Sequence, residues 1–164
     1  MADVVSRAVR SRMMAGIRGT DTRAERTVRR LLFASGFRFR LHRRDLPGTP
    51  DVVLPGRRVA VFVHGCFWHA HAGCRYAKLP ATRPEFWEEK LRANVLRDRD
   101  AEAALRQQGW RVLCVWECAT RVRNGEAKLR SAMHDWICGE AADGVIDESV
   151  LAHMPWPQQD IKTR

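Results

Sequence analysis

The stretch DVVLPGRRVAVFVH, residues 51–64, decides how this chain folds. Two apolar runs lie on either side of Pro55-Gly56, a pair that is typical of a turn, and together they predict a β-hairpin. The second run is apolar on both faces, which favours a central position in a sheet. The hairpin register brings Asp51 near residues 60–63, so we expect Asp51 and His64 at one edge of the sheet.

Helical patterns flank this hairpin. Thr22 and Glu25 fit a capping box at the start of an amphipathic helix that ends at Gly36. The remaining predicted elements are, in chain order, a half-buried strand over 37–41, a long helix from Pro84 that stops at Gly109, a strand over 110–116 and a helix over 126–137. From Gly144 onward no period is evident. This order of elements is typical of a compact α/β domain.

The length of 164 residues indicates one domain. A chain of this size buries roughly 70% of its unfolded surface, so it can fold without disulfides or a partner. We expect residues 1–20 to form a basic N-terminal segment, either a second helix or a part that becomes ordered on binding. Residues 21–140 then form the main domain and residues 141–164 a C-terminal extension.

The longest apolar run, residues 59–63, is far shorter than the ~20 residues of a membrane helix. The N-terminus also lacks the apolar core of a secretory signal, so we expect a cytoplasmic protein.

The charge balance predicts a polyanionic partner. Lys and Arg number 29 against 19 Asp and Glu, which gives a net charge of +10. Nucleic acid and an acidic membrane surface both fit this balance. Arg83, Lys90 and the N-terminal arginines either contact phosphates or are simply solvated.

Cysteine and histidine concentrate after the hairpin. The residues Cys66, His71 and Cys74 lie within one glycine-containing segment, and Cys118 follows a later strand. Three thiolates and one imidazole match a structural Zn²⁺ site, although buried cysteines that ligate nothing are also common. An odd count of five cysteines argues against paired disulfides. Cys114 and Cys138 are interpreted as ordinary packed residues.

Asp51 is one of several candidate catalytic residues in the sequence. Asp after a turn is often only a capping residue. His64, His69 and Glu25, however, could join Asp51 beside a phosphodiester, where metal-assisted hydrolysis needs an oxygen ligand for Mg²⁺, an activated water and a proton donor.

The aromatic residues Phe67, Trp68 and Trp87 allow two interpretations. Aromatic side chains usually belong to a core. Beside a Cys- and His-rich irregular segment, they could instead wedge between DNA bases.

Taken together, these residues resemble the very short patch repair endonuclease family. The motifs that carry the resemblance are SRxM (11–14), DTxxE (21–25), LPGxPD (46–51), HGCFWH (64–69), PATRxEFW (80–87), NVxRD (94–98), GWRVL (109–113), VWEC (115–118) and WICG (136–139). The string HGCFWH followed by PATRxEFW is the most specific of these. The match extends from about Ser11 to Glu140.

The resemblance implies an α/β fold like that of type II restriction endonucleases, with a central mixed β-sheet flanked by helices and a structural zinc site. Residues 21–140 would then be the endonuclease domain, and residues 1–20 would insert at DNA. The second-strand motif of those enzymes, an acid followed two residues later by lysine, is replaced here by Val61-Phe-Val-His64.

The resemblance also implies roles for individual residues. Asp51 would bind Mg²⁺ together with the main-chain carbonyl of Val63, and Glu25 would act through water at the metal. His64 would contact the site, and His69 would transfer a proton while Asp98 orients it. Zinc would be held by Cys66, His71, Cys74 and Cys118. Phe67, Trp68 and Trp87 would wedge from the major groove, and the segment around Met14 would enter the minor groove.

The function implied is Mg²⁺-dependent nicking 5′ of the T in T:G mismatches that arise from deamination of 5-methylcytosine. The partner would be double-stranded DNA carrying the mismatch, with mismatch-repair proteins as further partners and the enzyme acting as a monomer. Two alternatives stay open from the sequence: a zinc-stabilised DNA-binding module without catalysis, and a nuclease that cuts matched duplex.

Overall fold

The computed structural model of this chain describes residues 19–155. Met14 and almost all of the predicted N-terminal segment lie outside the described residues, as do residues 156–164.

A five-stranded mixed sheet forms the centre of the domain. Its strands are β1 (Arg40–Leu41), β2 (Val52–Leu54), β3 (Val59–His64), β4 (Arg111–Trp116) and β5 (Asp143–Ile146), and they lie side by side in chain order. The first three pair antiparallel, whereas β3, β4 and β5 are parallel. A single 3₁₀ turn, Pro55–Arg57, joins β2 to β3, so the predicted hairpin is confirmed.

Helices cover both faces of this sheet. They are α1 (Arg23–Ala34), α2 (Pro84–Gln107), α3 (Glu117–Thr120), α4 (Glu126–Cys138) and α5 (Glu148–His153). Within residues 19–155, no helix is long and apolar enough to cross a membrane.

The alternation of β3 explains why all six of its residues are buried. Val59, Val61 and Val63 face a core shared with α1, α4 and α5. Ala60 and Phe62 face the opposite side, where Leu105 of α2 packs against them. Because apolar residues are buried on both faces, β3 takes the middle of the sheet, as predicted.

The parallel pairing of β3 with β4 places functional segments at one edge. His64, the last residue of β3, lies opposite Trp116, the last residue of β4. The segments that follow both strands therefore start from the same edge, and they carry Cys66 and Cys118.

Two sequence predictions need correction. The strand predicted over 37–41 is reduced to Arg40–Leu41, because the Phe37 N–H donates to the Leu32 carbonyl at the end of α1 and the chain turns at His42, whose φ is +45°.

The tail contains regular structure that the sequence pattern did not predict. β5 extends the sheet beside β4, and α5 follows it with Leu151 buried in the core. The strand gave no signal because only Ile146 is buried and Gly144 interrupts it. That glycine is required by packing, since a Cβ there would lie 2.1 Å from the indole Nε1 of Trp136.

Candidate active site and metal centres

Two carboxylates and one imidazole meet where the hairpin approaches α1. Asp51 directly precedes β2, and its Oδ2 accepts a hydrogen bond of 2.7 Å from the backbone N–H of Val63 on β3. Glu25 projects from the first turn of α1, and His42 follows β1. One donor atom from each of Asp51, Glu25 and His42 lies within 4.8 Å of the others.

Glu25 is buried and also forms part of the helix cap. Its backbone N–H donates to Thr22 Oγ1 at 3.2 Å, and its Oε1 accepts from the Thr22 backbone N–H at 3.3 Å. This is the capping box that the sequence predicts. Arg29, one turn further along α1, donates to Glu25 Oε2 at 2.7 Å. The partial positive charge at the start of the helix and the guanidinium of Arg29 together offset the negative charge of Glu25, which is only 2% exposed.

Asp51 carries an electrostatic cost. Burial and, to a smaller extent, the negative charge of Glu25 raise the pKa of this carboxyl group to about 6. The hydrogen bond from the Val63 N–H acts in the opposite direction and lowers the pKa. Two hard oxygen donors with a shared surplus of negative charge are the ligands that a divalent cation such as Mg²⁺ prefers. The residues present therefore fit a divalent metal ion at Asp51 and Glu25.

A second group lies at the edge of the same cleft. The Nδ1 of His69 is 2.6 Å from Asp98 Oδ2, which projects from α2. The ring of His69 stacks on that of His64, with parallel planes and centroids 4.0 Å apart. His64, His69 and Asp98 also place one donor atom each within 4.8 Å of one another.

The charge states of this group differ. Burial and, to a smaller extent, the adjacent His69 lower the pKa of His64 to about 4, so His64 is neutral at physiological pH. Burial tends to raise the pKa of Asp98, but the hydrogen bond with His69 and the nearby basic side chains together outweigh this and hold the pKa below the ordinary value. An ionised Asp98 thus faces His69 Nδ1.

Aromatic side chains form the wall next to these histidines. Phe67, Trp68 and Trp87 contact one another edge to face, with ring centroids 5.1 to 6.1 Å apart. All three are only partly buried. Lys90 lies 5.6 Å from the rings of both Trp68 and Trp87. Asn94 anchors the segment by donating to the carbonyl of Trp68 at 2.9 Å.

One open cleft joins the carboxylates to the histidines and the aromatic wall. It encloses about 1050 Å³ and is lined by Glu25, Asp51, His64, His69 and Trp68, among others. Arg44 and Arg97 also line it. A substrate in this cleft would contact hard oxygen donors, a paired histidine and the indole ring of Trp68 together.

A separate cluster of soft donors lies beside the cleft. One donor atom from each of Cys66, His71, Cys74 and Cys118 lies within 4.8 Å of the others. All five cysteines are free thiols, and burial raises the pKa of Cys66 and of Cys118. Three sulfurs and one imidazole at four close positions fit a tetrahedral Zn²⁺ ion, whose charge would favour the thiolate forms. The structure thereby assigns His71 to the cysteines and His69 to Asp98.

Sequence reasoning missed two residues of the carboxylate cluster. His42 Nε2 lies 3.7 Å from Glu25 Oε2, and its Nδ1 lies 3.9 Å from Asp51 Oδ1. Arg29 Nη2 lies 2.9 Å from His42 Nε2. Arg29 could have been found from its i, i+4 spacing to Glu25. His42 could not, because its place depends on the turn at its own positive φ.

Comparison with known proteins gives this arrangement a context. A sequence model of the family described as DNA mismatch endonuclease Vsr matches residues 2–75. The DNA mismatch endonuclease Vsr of Escherichia coli (strain K12) is 47% identical over 149 residues, which cover 90% of this chain and 95% of that protein. The chain belongs to the Vsr family.

Other relatives carry a different description. The type II nicking enzyme V.XorIIP of Xanthomonas oryzae pv. oryzae is 50% identical over 134 residues, 81% of this chain and 98% of that enzyme. The type II nicking enzyme V.NmeAIP of Neisseria meningitidis serogroup A is 39% identical over 118 residues, 72% and 84% of the two chains. The Vsr family model spans both carboxylates, both stacked histidines and three of the four soft donors, whereas Asp98 and Cys118 lie beyond it.

Proposed function

We propose that this protein is a Mg²⁺-dependent mismatch endonuclease that nicks DNA 5′ of the T in a T:G pair arising from deamination of 5-methylcytosine. The observation that carries the proposal is the single cleft that joins the Asp51–Glu25 carboxylates to the His69–Asp98 pair. The names of the Vsr-family relatives, a mismatch endonuclease and nicking enzymes, support the same reaction class. The mixed sheet with helices on both faces is consistent with a fold of the type II restriction endonuclease kind.

Asp51 would hold the catalytic metal ion, with Glu25 acting through water and the main-chain carbonyl of Val63 as a further ligand. When bound, Mg²⁺ supplies Lewis-acid stabilisation of the reacting phosphate and lowers the pKa of a bound water. The Val63 N–H positions the Asp51 carboxylate for this task through its 2.7 Å hydrogen bond. Arg29 holds the Glu25 side chain in place through an ion pair of 2.7 Å.

His69 would move the proton. Asp98 occupies Nδ1 at 2.6 Å, so Nε2 is the nitrogen left to deliver a proton to the leaving oxygen. An ionised Asp98 favours the tautomer with a proton on Nδ1 and stabilises the charged imidazolium. His64 is neutral and stacks on His69. It would contact the phosphate and remain uncharged throughout the reaction.

The aromatic wall would select the mismatch. A wobble pair deforms more easily than a matched pair, so wedging Phe67, Trp68 and Trp87 beside it costs less free energy. The net charge of +10 attracts the DNA backbone. Lys90 lies 5.6 Å from the Trp68 ring, where it would contact a phosphate beside the inserted aromatic rings. The segment around Met14, outside the described residues, would enter the minor groove.

Zinc would have a structural role in this protein. Cys66, His71 and Cys74 lie in the segment between β3 and α2, and Cys118 lies in α3. A closed four-ligand site of this kind contributes folding energy rather than chemistry. The protein would act in the cytoplasm as a monomer on double-stranded DNA, with mismatch-repair proteins as further partners.

The decisive experiment compares nicking of two end-labelled duplexes that differ only in one T:G or T:A pair. We expect a cut 5′ of the mismatched T, with Mg²⁺ and not with EDTA. Asp51→Ala should bind the T:G duplex but not nick it. Trp68→Ala should lose the preference for the mismatch.

Other outcomes point to other functions. Salt-sensitive binding to both duplexes without a cut would support the catalytically inactive DNA-binding module. Equal cutting of both duplexes would support a nuclease for matched DNA. Cleavage by Asp51→Ala would remove Asp51 from the mechanism.

A further inference from the structure

We propose that Asp147 is a positioning residue for the cysteine–histidine centre: it holds the His71 imidazole in its metal-binding orientation and so makes the C-terminal β5–α5 segment part of that centre. The inference rests on the zinc site proposed above and adds a residue from outside its ligand set.

The two nitrogens of His71 face different partners. Nδ1 lies 3.7 Å from the Sγ of Cys118, inside the group of soft donors. Nε2 lies 3.3 Å from Asp147 Oδ2, on the other side of the ring. A histidine that binds a metal commonly donates its second N–H to a carboxylate, which fixes the tautomer and makes the ligating nitrogen more basic. His71 and Asp147 have this arrangement.

Stacking fixes the plane of the His71 ring but still allows the ring to flip about its Cβ–Cγ bond. The ring lies flat against the indole of Trp116, with centroids 4.0 Å apart and planes within 7°. The backbone N–H of His71 donates to the carbonyl of Cys66 at 2.9 Å, which fixes the chain. Asp147 supplies the remaining constraint because a flipped ring would lose the contact between Nε2 and Asp147 Oδ2.

Asp147 is itself held by both ends of its segment. It joins β5, which pairs with β4, to α5, whose N-terminus it caps. Its Oδ1 accepts from the Val150 N–H at 2.9 Å and from the Ser149 hydroxyl at 2.6 Å, which leaves Oδ2 for His71. A carboxylate with one oxygen fixed by a helix cap presents the other oxygen at a defined position.

The experiment separates the contact with His71 from the helix cap. Asn and Ser are both good capping residues, so Asp147→Asn and Asp147→Ser retain the cap but remove the carboxylate. Glu148→Gln is the matched control, because it removes the neighbouring carboxylate, which pairs with Arg75 instead. The zinc affinity of each full-length protein is measured by competition with a chromophoric chelator, and its thermal unfolding is followed in the zinc-loaded form.

We expect both Asp147 variants to lose about 10- to 100-fold in zinc affinity, whereas Glu148→Gln keeps the affinity of the natural chain. With Co²⁺ in place of zinc, their thiolate charge-transfer absorption should persist while the ligand-field bands shift, since only the imidazole ligand changes its orientation.

Equal zinc affinity in all four proteins, with lower unfolding temperatures for the Asp147 variants alone, would overturn the proposal and leave Asp147 as a helix cap. If the natural chain itself bound no zinc, the zinc centre of the proposed function would fail, and this inference with it.

Discussion

Replacing Asp51 by Asn should stabilise the metal-free protein while abolishing nicking. The Asn side chain retains an oxygen that can accept the Val63 N–H, which donates to Asp51 at 2.7 Å. It removes the buried negative charge that lies beside Glu25. A carboxylate placed for metal binding is expected to lower the free energy of unfolding when the metal is absent.

The magnitude follows from the pKa of Asp51. Its value of about 6 in the folded protein, against an ordinary 3.8, means that folding disfavours the ionised form. At 1.36 kcal/mol for each pKa unit, this difference corresponds to about 3 kcal/mol at pH 7.5. As the pH falls below 6 the folded protein takes up a proton that the unfolded chain does not yet bind, so the cost shrinks to about 1 kcal/mol near pH 4.5.

Urea denaturation in EDTA at several pH values measures this difference. The Asn variant should be more stable than the natural chain at pH 7.5, and the gap should narrow as the pH is lowered. Added Mg²⁺ should stabilise the natural chain and have much less effect on the variant. A variant that is less stable at pH 7.5, or a gap that widens toward acid pH, would refute the electrostatic argument.

Three further changes test other parts of the structure. Asp98→Asn should lower the nicking rate about 10²- to 10⁴-fold, because His69 loses its ionised partner. Binding to the T:G duplex should not weaken, and gel assays measure both properties. An unchanged nicking rate would exclude the His69–Asp98 pair from proton transfer. Cys118→Ser should reduce the zinc content and lower the unfolding temperature, and a protein with its full zinc content and stability would contradict a structural zinc site. Gly48→Ala should lower the free energy of unfolding, measured by urea denaturation, by about 1–3 kcal/mol. The reason is that φ of Gly48 is +72° and the new Cβ would lie 2.7 Å from the Cβ of Ala101. An unchanged denaturation midpoint would show that the turn adapts.

The sequence predicted the elements whose signal is local. The capping box at Thr22 and the turn at Pro55-Gly56 are each specified by neighbouring residues, and the structure contains both. The apolar run of β3 likewise predicted a central strand because burial on both faces leaves no polar positions.

The missed features depend on contacts between distant residues. β5 is defined by its pairing with β4 and by the packing of Gly144 against Trp136, neither of which leaves a periodic pattern. His42 and Asp147 meet their partners only because the chain turns at one and caps a helix at the other.

The arrangement of the two candidate metal centres explains why the short segment after β3 carries so many functional residues. Asp51 and Val63 belong to the hairpin, whose geometry is set by the buried sheet. His69, in contrast, lies between Cys66 and His71 and has no strand or helix of its own. Binding of zinc at those two residues would restrict the backbone on either side of His69, in the way that a strand restricts Asp51. The soft centre would therefore help to hold the proposed proton donor in position, while the hard centre depends on the sheet and on the start of α1.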